Sequence, residues 1–236
     1  MCVAAVLLAA APATAQTAKP PDIPAVGTVW SLAGTLRMVY PDKPATEAEF
    51  RYLRRTIEAG ADWFKVEYDI PFQGRKFHYR EKHSADPFAP PLTKEHVPLT
   101  AQGEGAALKL IERSDGAVTG SLFPLEIGKV AQYRYATVGE AGEVPAVSDC
   151  KVESRGSVTV PLGTYDTFAV RCRAAVFPRE DVRIDTETLF QYAGDLGGDI
   201  SVETHITSTK VSEMKVQHET WIDFKLAEID KPASNR

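Results

Sequence analysis

The segment Phe64-Lys65-Val66-Glu67-Tyr68-Asp69-Ile70 decides the fold class. Phe64, Val66, Tyr68 and Ile70 share one parity, while Lys65, Glu67 and Asp69 hold the other. This is the period-two pattern of a strand with one face on a core and one face in water. The same alternation runs through Phe168, Val170, Cys172, Ala174 and Val176, through Ile184–Tyr192, through Ile200–Ile206 and through Val216–Leu226. Further strands are expected near Val29–Val39, Glu49–Ile57, Arg75–Arg80, Ala107–Glu112, Lys129–Val138 and Val147–Val160. No apolar stripe of helical period runs for three turns. Turn residues punctuate these runs at Ala59-Gly60-Ala61-Asp62, Ser114-Asp115-Gly116, Pro161-Leu162-Gly163 and Gly194–Gly198. The chain therefore reads as all-β and mainly antiparallel. The expected form is an extended curved sheet or an open or half-closed β-barrel meander, with few or no helices outside an N-terminal signal segment.

Composition agrees with a packed domain. The 236 residues are 44% apolar and 25% charged, which excludes disordered, collagenous and disulfide-dense classes. A net charge of −5 leaves no basic surplus to neutralise phosphates, so nucleic acid is not an expected partner.

Val3–Ala11 is an uncharged apolar run followed by Pro12 and the small-x-small Ala13-Thr14-Ala15. It is too short to span a bilayer as a helix and suits a signal-peptide core, giving a signal at 1–15 and a mature chain from Gln16. The protein is expected to be periplasmic or secreted and not membrane-spanning. Loss of the signal removes Cys2 and leaves Cys150 and Cys172, which in an oxidising compartment pair as a disulfide. They lie equally far on either side of Pro161 and share parity with Phe168 and Val170.

Residues 16–236 form a single β-rich domain of two halves, about 24–82 and 106–228. A proline-rich interval, 84–105, joins them and is expected to be a long loop, a natural lid over any opening. Val26-Gly27-Thr28-Val29 and Ile127-Gly128-Lys129-Val130 open the two halves alike, a weak internal repeat.

Chemistry-bearing motifs are sparse. His78, His83 and His96 lie in or near the long interval with Asp86 and Glu95, yet no metal-ligand spacing accompanies them, so neither a metal nor a cofactor is expected. Ser212-Glu213-Met214-Lys215 matches a Ser-x-x-Lys motif by coincidence, because it leads into a strand rather than opening a helix. His218 shares parity with Val216, Ile222 and Phe224 and reads as a core histidine. No catalytic residue is assigned.

Leu122-Phe123-Pro124-Leu125-Glu126-Ile127-Gly128 and Val158-Thr159-Val160-Pro161-Leu162-Gly163-Thr164-Tyr165 resemble segments of a loose group of exported bacterial β-rich domains of unknown function. The resemblance spans residues 120–195. It implies an extended curved antiparallel sheet or open barrel in the periplasm, and no established activity.

If the strands form one curved sheet, their apolar parities converge. Phe64, Tyr68, Phe168, Phe190, Ile222 and Phe224 are then expected to line one interior, either self-filled, the simpler expectation, or holding a ligand. Trp63 and Trp221 fall on the charged parity and are candidates for recognition at the surface. The expected role is non-enzymatic binding of an apolar, envelope-derived small molecule or of an envelope protein. The alternatives are a hydrolase of envelope polymers with His218 as base, and a structural protein pairing through a sheet edge. The intact mass of exported protein should match a chain beginning at Gln16; retention of Met1–Ala15 would end the signal-peptide reading.

Overall fold

Alternation becomes hydrogen bonding along nearly the whole chain. The computed structural model describes residue 18 and residues 21–72, 75–100, 103–113, 118–139 and 142–232. The signal segment, the Gln16 start and the Ser114-Asp115-Gly116 turn lie outside the described residues. The first half supplies β1 (Val29–Tyr40), β2 (Lys43–Ala59), β3 (Trp63–Phe72), β4 (Arg75–Ser84), β5 (Thr93–Val97) and β8 (Leu108–Glu112). A short ladder of β6 (Leu99–Thr100) and β7 (Gly103–Glu104) lies between the last two. The second half, preceded by β9 (Val118–Gly120), supplies β10 (Val130–Gly139), β11 (Gly142–Val160), β12 (Gly163–Arg179), β13 (Val182–Ala193), β14 (Gly198–Lys210) and β15 (Lys215–Asp230). Among the described residues the helical element is a single 3₁₀ turn, Val211–Glu213.

These strands close into a barrel. The ring runs β10-β11-β12-β13-β14-β15-β1-β2-β3-β4-β5-β8 and back to β10, twelve strands with every pairing antiparallel. Six consecutive strands come from each half, and the halves join where the last strand, β15, pairs with the first, β1. The other junction is thin. Strands β8 and β10 meet through Ala136–Glu112 and Thr137–Ile111, and β9 covers the next stretch of β10.

The interval 84–105 is not one uninterrupted loop. Thr93–Val97 is a full barrel strand between β4 and β8, concealed in the sequence by the flanking prolines. Of the rest, residues 85–92 turn inward rather than covering an opening, and the β6–β7 ladder occupies the stretch after β5.

The two halves begin with the same backbone device. Gly27 and Gly128 have φ of 91° and 93°, a conformation that favours glycine. The Gly27 N–H donates to the Thr56 carbonyl, and the Thr56 N–H donates to Thr28. The Gly128 N–H likewise donates to Val152, and the Val152 N–H donates to Lys129. Two residues upstream of Thr56 and Val152 lie Arg54 and Cys150, whose cross-strand partners are Tyr68 and Cys172. The disulfide of one half thus stands where the other half has an Arg–Tyr pair.

Cys150 and Cys172 are directly opposed and bonded, with Cα atoms 4.0 Å apart. A register shift between Val152 and Ser154 sets them there. The β11–β12 turn is centred between Pro161 and Leu162, so the register next to the turn, carried on unchanged, would place Cys150 against Arg173. One extra residue at Glu153 shifts the ladder and restores the cysteine pair.

The main core lies between the β10–β13 wall and two inserted loops. Leu122 and Leu125 are completely buried beside Tyr133, Val152, Val170 and Tyr192. Phe88, from the loop after β4, packs on Phe123, Phe190 and Tyr192 at ring separations of 5.7, 5.6 and 5.6 Å. Asp86 anchors that loop by accepting from Tyr133 Oη at 2.6 Å and from the Phe88 N–H at 3.0 Å. The loop is therefore a plug.

Cys150 and Cys172 are 22 residues apart in sequence. A Cys150→Ala/Cys172→Ala variant should lose about 3 kcal/mol of stability, the chain-entropy value for a loop of that order. Denaturant unfolding against the oxidised parent measures this, and an unchanged midpoint would mean that the bond is not formed in the native protein.

Candidate functional site

The inward parity of the first half differs from that of the second. In β2 it carries Phe50, Tyr52, Arg54 and Thr56, and in β4 it carries Phe77, Tyr79, Glu81 and His83. These side chains project beside Phe64, Val66 and Tyr68 of β3, because Arg54 pairs with Tyr68 and Val66 pairs with Glu81 across the ladders. Alternation that places aromatics inside places these charges inside too.

Tyr52, Arg54, Phe64, Tyr68, Glu81 and His83 border a cavity of about 1280 Å³. Its walls include Phe64, Tyr68, Phe168, Phe190 and Phe224, five of the six side chains expected to converge on one interior. Ile222 shares their strand parity but is not among the lining residues. The simpler expectation of a self-filled core is thereby corrected: a twelve-stranded ring is wider than its own side chains can fill, and the two plugging loops occupy only part of it. The segment 21–25 and the plug residues Pro87, Phe88 and Pro90 also border the space.

A polar cluster occupies the first-half wall. Glu81 is buried and takes all its partners from this face. Tyr68 Oη donates to its Oε1 at 2.5 Å, Lys94 Nζ lies 2.7 Å from the same oxygen, and His83 Nε2 donates to Oε2 at 2.8 Å. Lys94 also donates to Tyr68 Oη at 2.9 Å. Burial by itself would raise the Glu81 pKa, but Lys94, the His83 hydrogen bond and Arg54 together hold the carboxyl well below its usual range. Burial, then Arg54, lowers the His83 pKa despite its bond to Glu81, so the imidazole is neutral and carries its proton on Nε2. Tyr52, packed against Tyr68 at 5.6 Å and Phe224 at 5.4 Å, is pushed up to about 12 by burial and stays a phenol.

Arg54 and Asp199, both on the cavity wall, each have a buried polar atom without a hydrogen bond. Arg54 lies over the rings of Trp30 and Phe64 at 5.5 and 5.9 Å, and its Nε is buried without a hydrogen bond. Asp199, on β14, has a buried and unpaired Oδ1. Burial raises its pKa to about 7, with Arg54 opposing and Asp86 adding to the rise.

The remaining candidates lie elsewhere. Trp221 is on the outer wall, stacked on His205 at 4.7 Å with Arg37 5.3 Å away on its ring. Trp63 is covered by Lys82 at 4.3 Å. Neither reaches the cavity, because each has the parity opposite to the inward set. His218 packs beside Tyr40 at 5.6 Å, is not among the lining residues, and has no hydrogen-bond partner among the described residues. The polar residue at its side that an enzyme reading requires is therefore not found there. His83 and His96 separate: His83 enters the Glu81 cluster, while His96 packs on Tyr79 at 5.5 Å. Sequence reading missed Arg54, Glu81, Lys94 and Asp199. A charge on the aromatic parity of a strand was the available signal, in Phe50-Arg51-Tyr52-Leu53-Arg54 and in Phe77-His78-Tyr79-Arg80-Glu81.

No family model matches the chain, and no curated protein matches it. Solved structures similar to it include a Bacteroides fragilis protein described as exported and of YmcC-like fold, 12% identical with a TM-score of 0.43, covering 91% of this chain and 99% of that one. A Parabacteroides distasonis protein described as a lipoprotein is 11% identical with a TM-score of 0.45, over 91% of this chain and 99% of that one. The hypothetical lipoprotein YmcC of Escherichia coli is 6% identical with a TM-score of 0.38, over 85% of each chain.

Asp199 makes stability depend on pH. With its pKa raised from 3.8 to about 7, the native state keeps a proton that the unfolded chain releases between those values. Its contribution to stability is therefore full below about pH 4, declines as pH rises to 7, and stays low above that. Asp199→Asn should match the parent near pH 4 and exceed it by about 2–4 kcal/mol at pH 8. Thermal melts of the two proteins across that range provide the check, and parallel curves would contradict the assignment.

Proposed function

We propose that this protein is a non-enzymatic extracytoplasmic carrier that binds an apolar, envelope-derived molecule inside its barrel. The observation that carries the reading is the aromatic-walled cavity of about 1280 Å³. Small-molecule sites usually occupy roughly 300–1,000 Å³, so the space suits a ligand at or above the upper end of that range. The aromatic lining from Tyr52, Phe64, Tyr68, Phe168, Phe190 and Phe224 stands on strands, which hold side chains more rigidly than loops and so favour a preformed pocket.

Export is supported by the Val3–Ala15 pattern and by the Cys150–Cys172 bond, since structural disulfides persist in oxidising compartments. The outer wall supports a barrel that works in water. Arg171 bridges Glu153 at 2.9 Å and also Glu187, and Arg173 pairs with Glu187 at 2.6 Å, all on the outward parity of β11, β12 and β13. A lipid-facing barrel carries an apolar band in that position. Among the described residues no helix is long and apolar enough to cross a membrane. Kinship with the exported β-rich domains that the Leu122–Gly128 and Val158–Tyr165 segments resemble forms part of the same proposal.

Val202 tests the carrier reading. It lines the cavity and pairs with Phe190 on one side and Phe224 on the other. Pyrene, a neutral apolar fluorophore, should bind the parent saturably, and Val202→Trp should weaken that binding about tenfold or more while the protein still melts cooperatively. Absence of saturable pyrene binding to the parent, or equal binding to the filled variant, would overturn the reading.

A further inference from the structure

The cavity has a charged pole as well as apolar walls, and at that pole one cation is unmatched. Resting on the carrier reading, we propose that the ligand is an anionic amphiphile, with a carboxylate or phosphate head held by Arg54 and an apolar body lying along Phe224, Val202 and Phe190.

Arg54 reaches the interior from β2 and presents its ring-facing surfaces to Trp30 and Phe64, at 5.5 and 5.9 Å. A cation–π contact uses none of the guanidinium's N–H donors, so these stay available to an acceptor, and the guanidinium fork grips carboxylates and phosphates in pairs. Among the described residues no carboxylate lies within ion-pair distance of it, and its Nε is buried without a hydrogen bond. Arg54 is half-buried, and a buried N–H left without an acceptor is costly in a folded protein and becomes favourable when an anion completes it.

The neighbouring charges do not serve as that counter-ion. Both Glu81 oxygens are engaged, Oε1 by Lys94 and Tyr68 and Oε2 by His83, so Lys94 and Glu81 cancel as a pair. His83 is neutral. Asp199 faces the same cavity with Oδ1 unpaired, and while it holds its proton it offers a donor to an anionic head instead of a repelling charge. Among Arg54, Lys94, Glu81 and the neutral His83, the first-half wall carries an excess of one positive charge.

The apolar path begins beside that charge. Tyr52, two residues before Arg54 on the same face, meets Phe224 at 5.4 Å, and Phe224 pairs across the ladder with Val202, which pairs in turn with Phe190. A head group at Arg54 therefore directs a chain along a continuous apolar wall. A free anion would use only the pole, and a neutral lipophile only the wall.

Calorimetric titration of the full-length chain with dodecanoate, dodecyl phosphate, dodecanol and inorganic phosphate separates these cases. Either acidic amphiphile should bind about tenfold or more tightly than dodecanol, the scale of one charge-assisted hydrogen-bonded contact. Inorganic phosphate should bind far more weakly than dodecyl phosphate. Arg54→Met should remove the preference for the acidic heads while leaving dodecanol unchanged, and Arg54→Lys should retain part of it. Equal affinity of the parent for dodecanol and both acidic compounds would overturn this inference and leave the carrier reading standing. Failure of all three chain compounds would sink both. Inorganic phosphate binding as tightly as dodecyl phosphate would overturn the amphiphile in favour of a simple anion. The parent's own ranking decides the matter even if Arg54→Met does not fold.

Discussion

Closure of twelve strands by main-chain hydrogen bonds sets the girth of this barrel, and most other features answer to that girth. A ring of about eight strands is filled by its own inward side chains, whereas a wider ring leaves volume to be occupied. The chain occupies part of that volume with two of its own connections. The Leu122–Leu125 segment and the Phe88 loop bury their apolar side chains against the β10–β13 wall and build a dense core there. Against the opposite wall the space remains open, and the cavity is the part of the girth that no connection fills.

The two halves resolve the same backbone plan in different ways. Each begins with a positive-φ glycine and the same reciprocal hydrogen bonds to its second strand. At equivalent cross-strand positions the second half places Cys150 and Cys172, which bond covalently and pack into the core. The first half places Arg54 and Tyr68, which face the cavity. One wall is thus specialised for cohesion and the other for polar contact, although the ladders are built alike.

The polar wall is self-consistent in its electrostatics. A buried carboxylate is tolerable when it is fully hydrogen-bonded and paired, and Glu81 has Tyr68, His83 and Lys94. That network fixes the Tyr68 and Lys94 side chains against the rings of Tyr79 and Tyr52, giving the cavity a rigid rim rather than a set of mobile charges. Arg54 and Asp199 remain outside the network, and their open valences distinguish this wall from a purely structural cluster.

Local sequence determined the strands, because side-chain parity is a property of each short segment and needs no long-range information. Phe64–Ile70, Ile184–Tyr192 and Val216–Leu226 declare themselves by alternation alone, and so does the inward direction of Phe64, Tyr68, Phe168, Phe190 and Phe224. The cysteine pair was equally legible, although its register depends on a bulge at Glu153 that no alternation announces. Closure was not legible, since the β15–β1 and β8–β10 pairings join segments far apart in the chain. The strand Thr93–Val97 was concealed among prolines and is held by its neighbours on both sides. The site followed the same division. Its aromatic lining could be read from parity, but the isolation of Arg54 could not, because a missing partner is a fact about every strand around it. Only the closed ring decides which charges find one another and which is left facing the cavity.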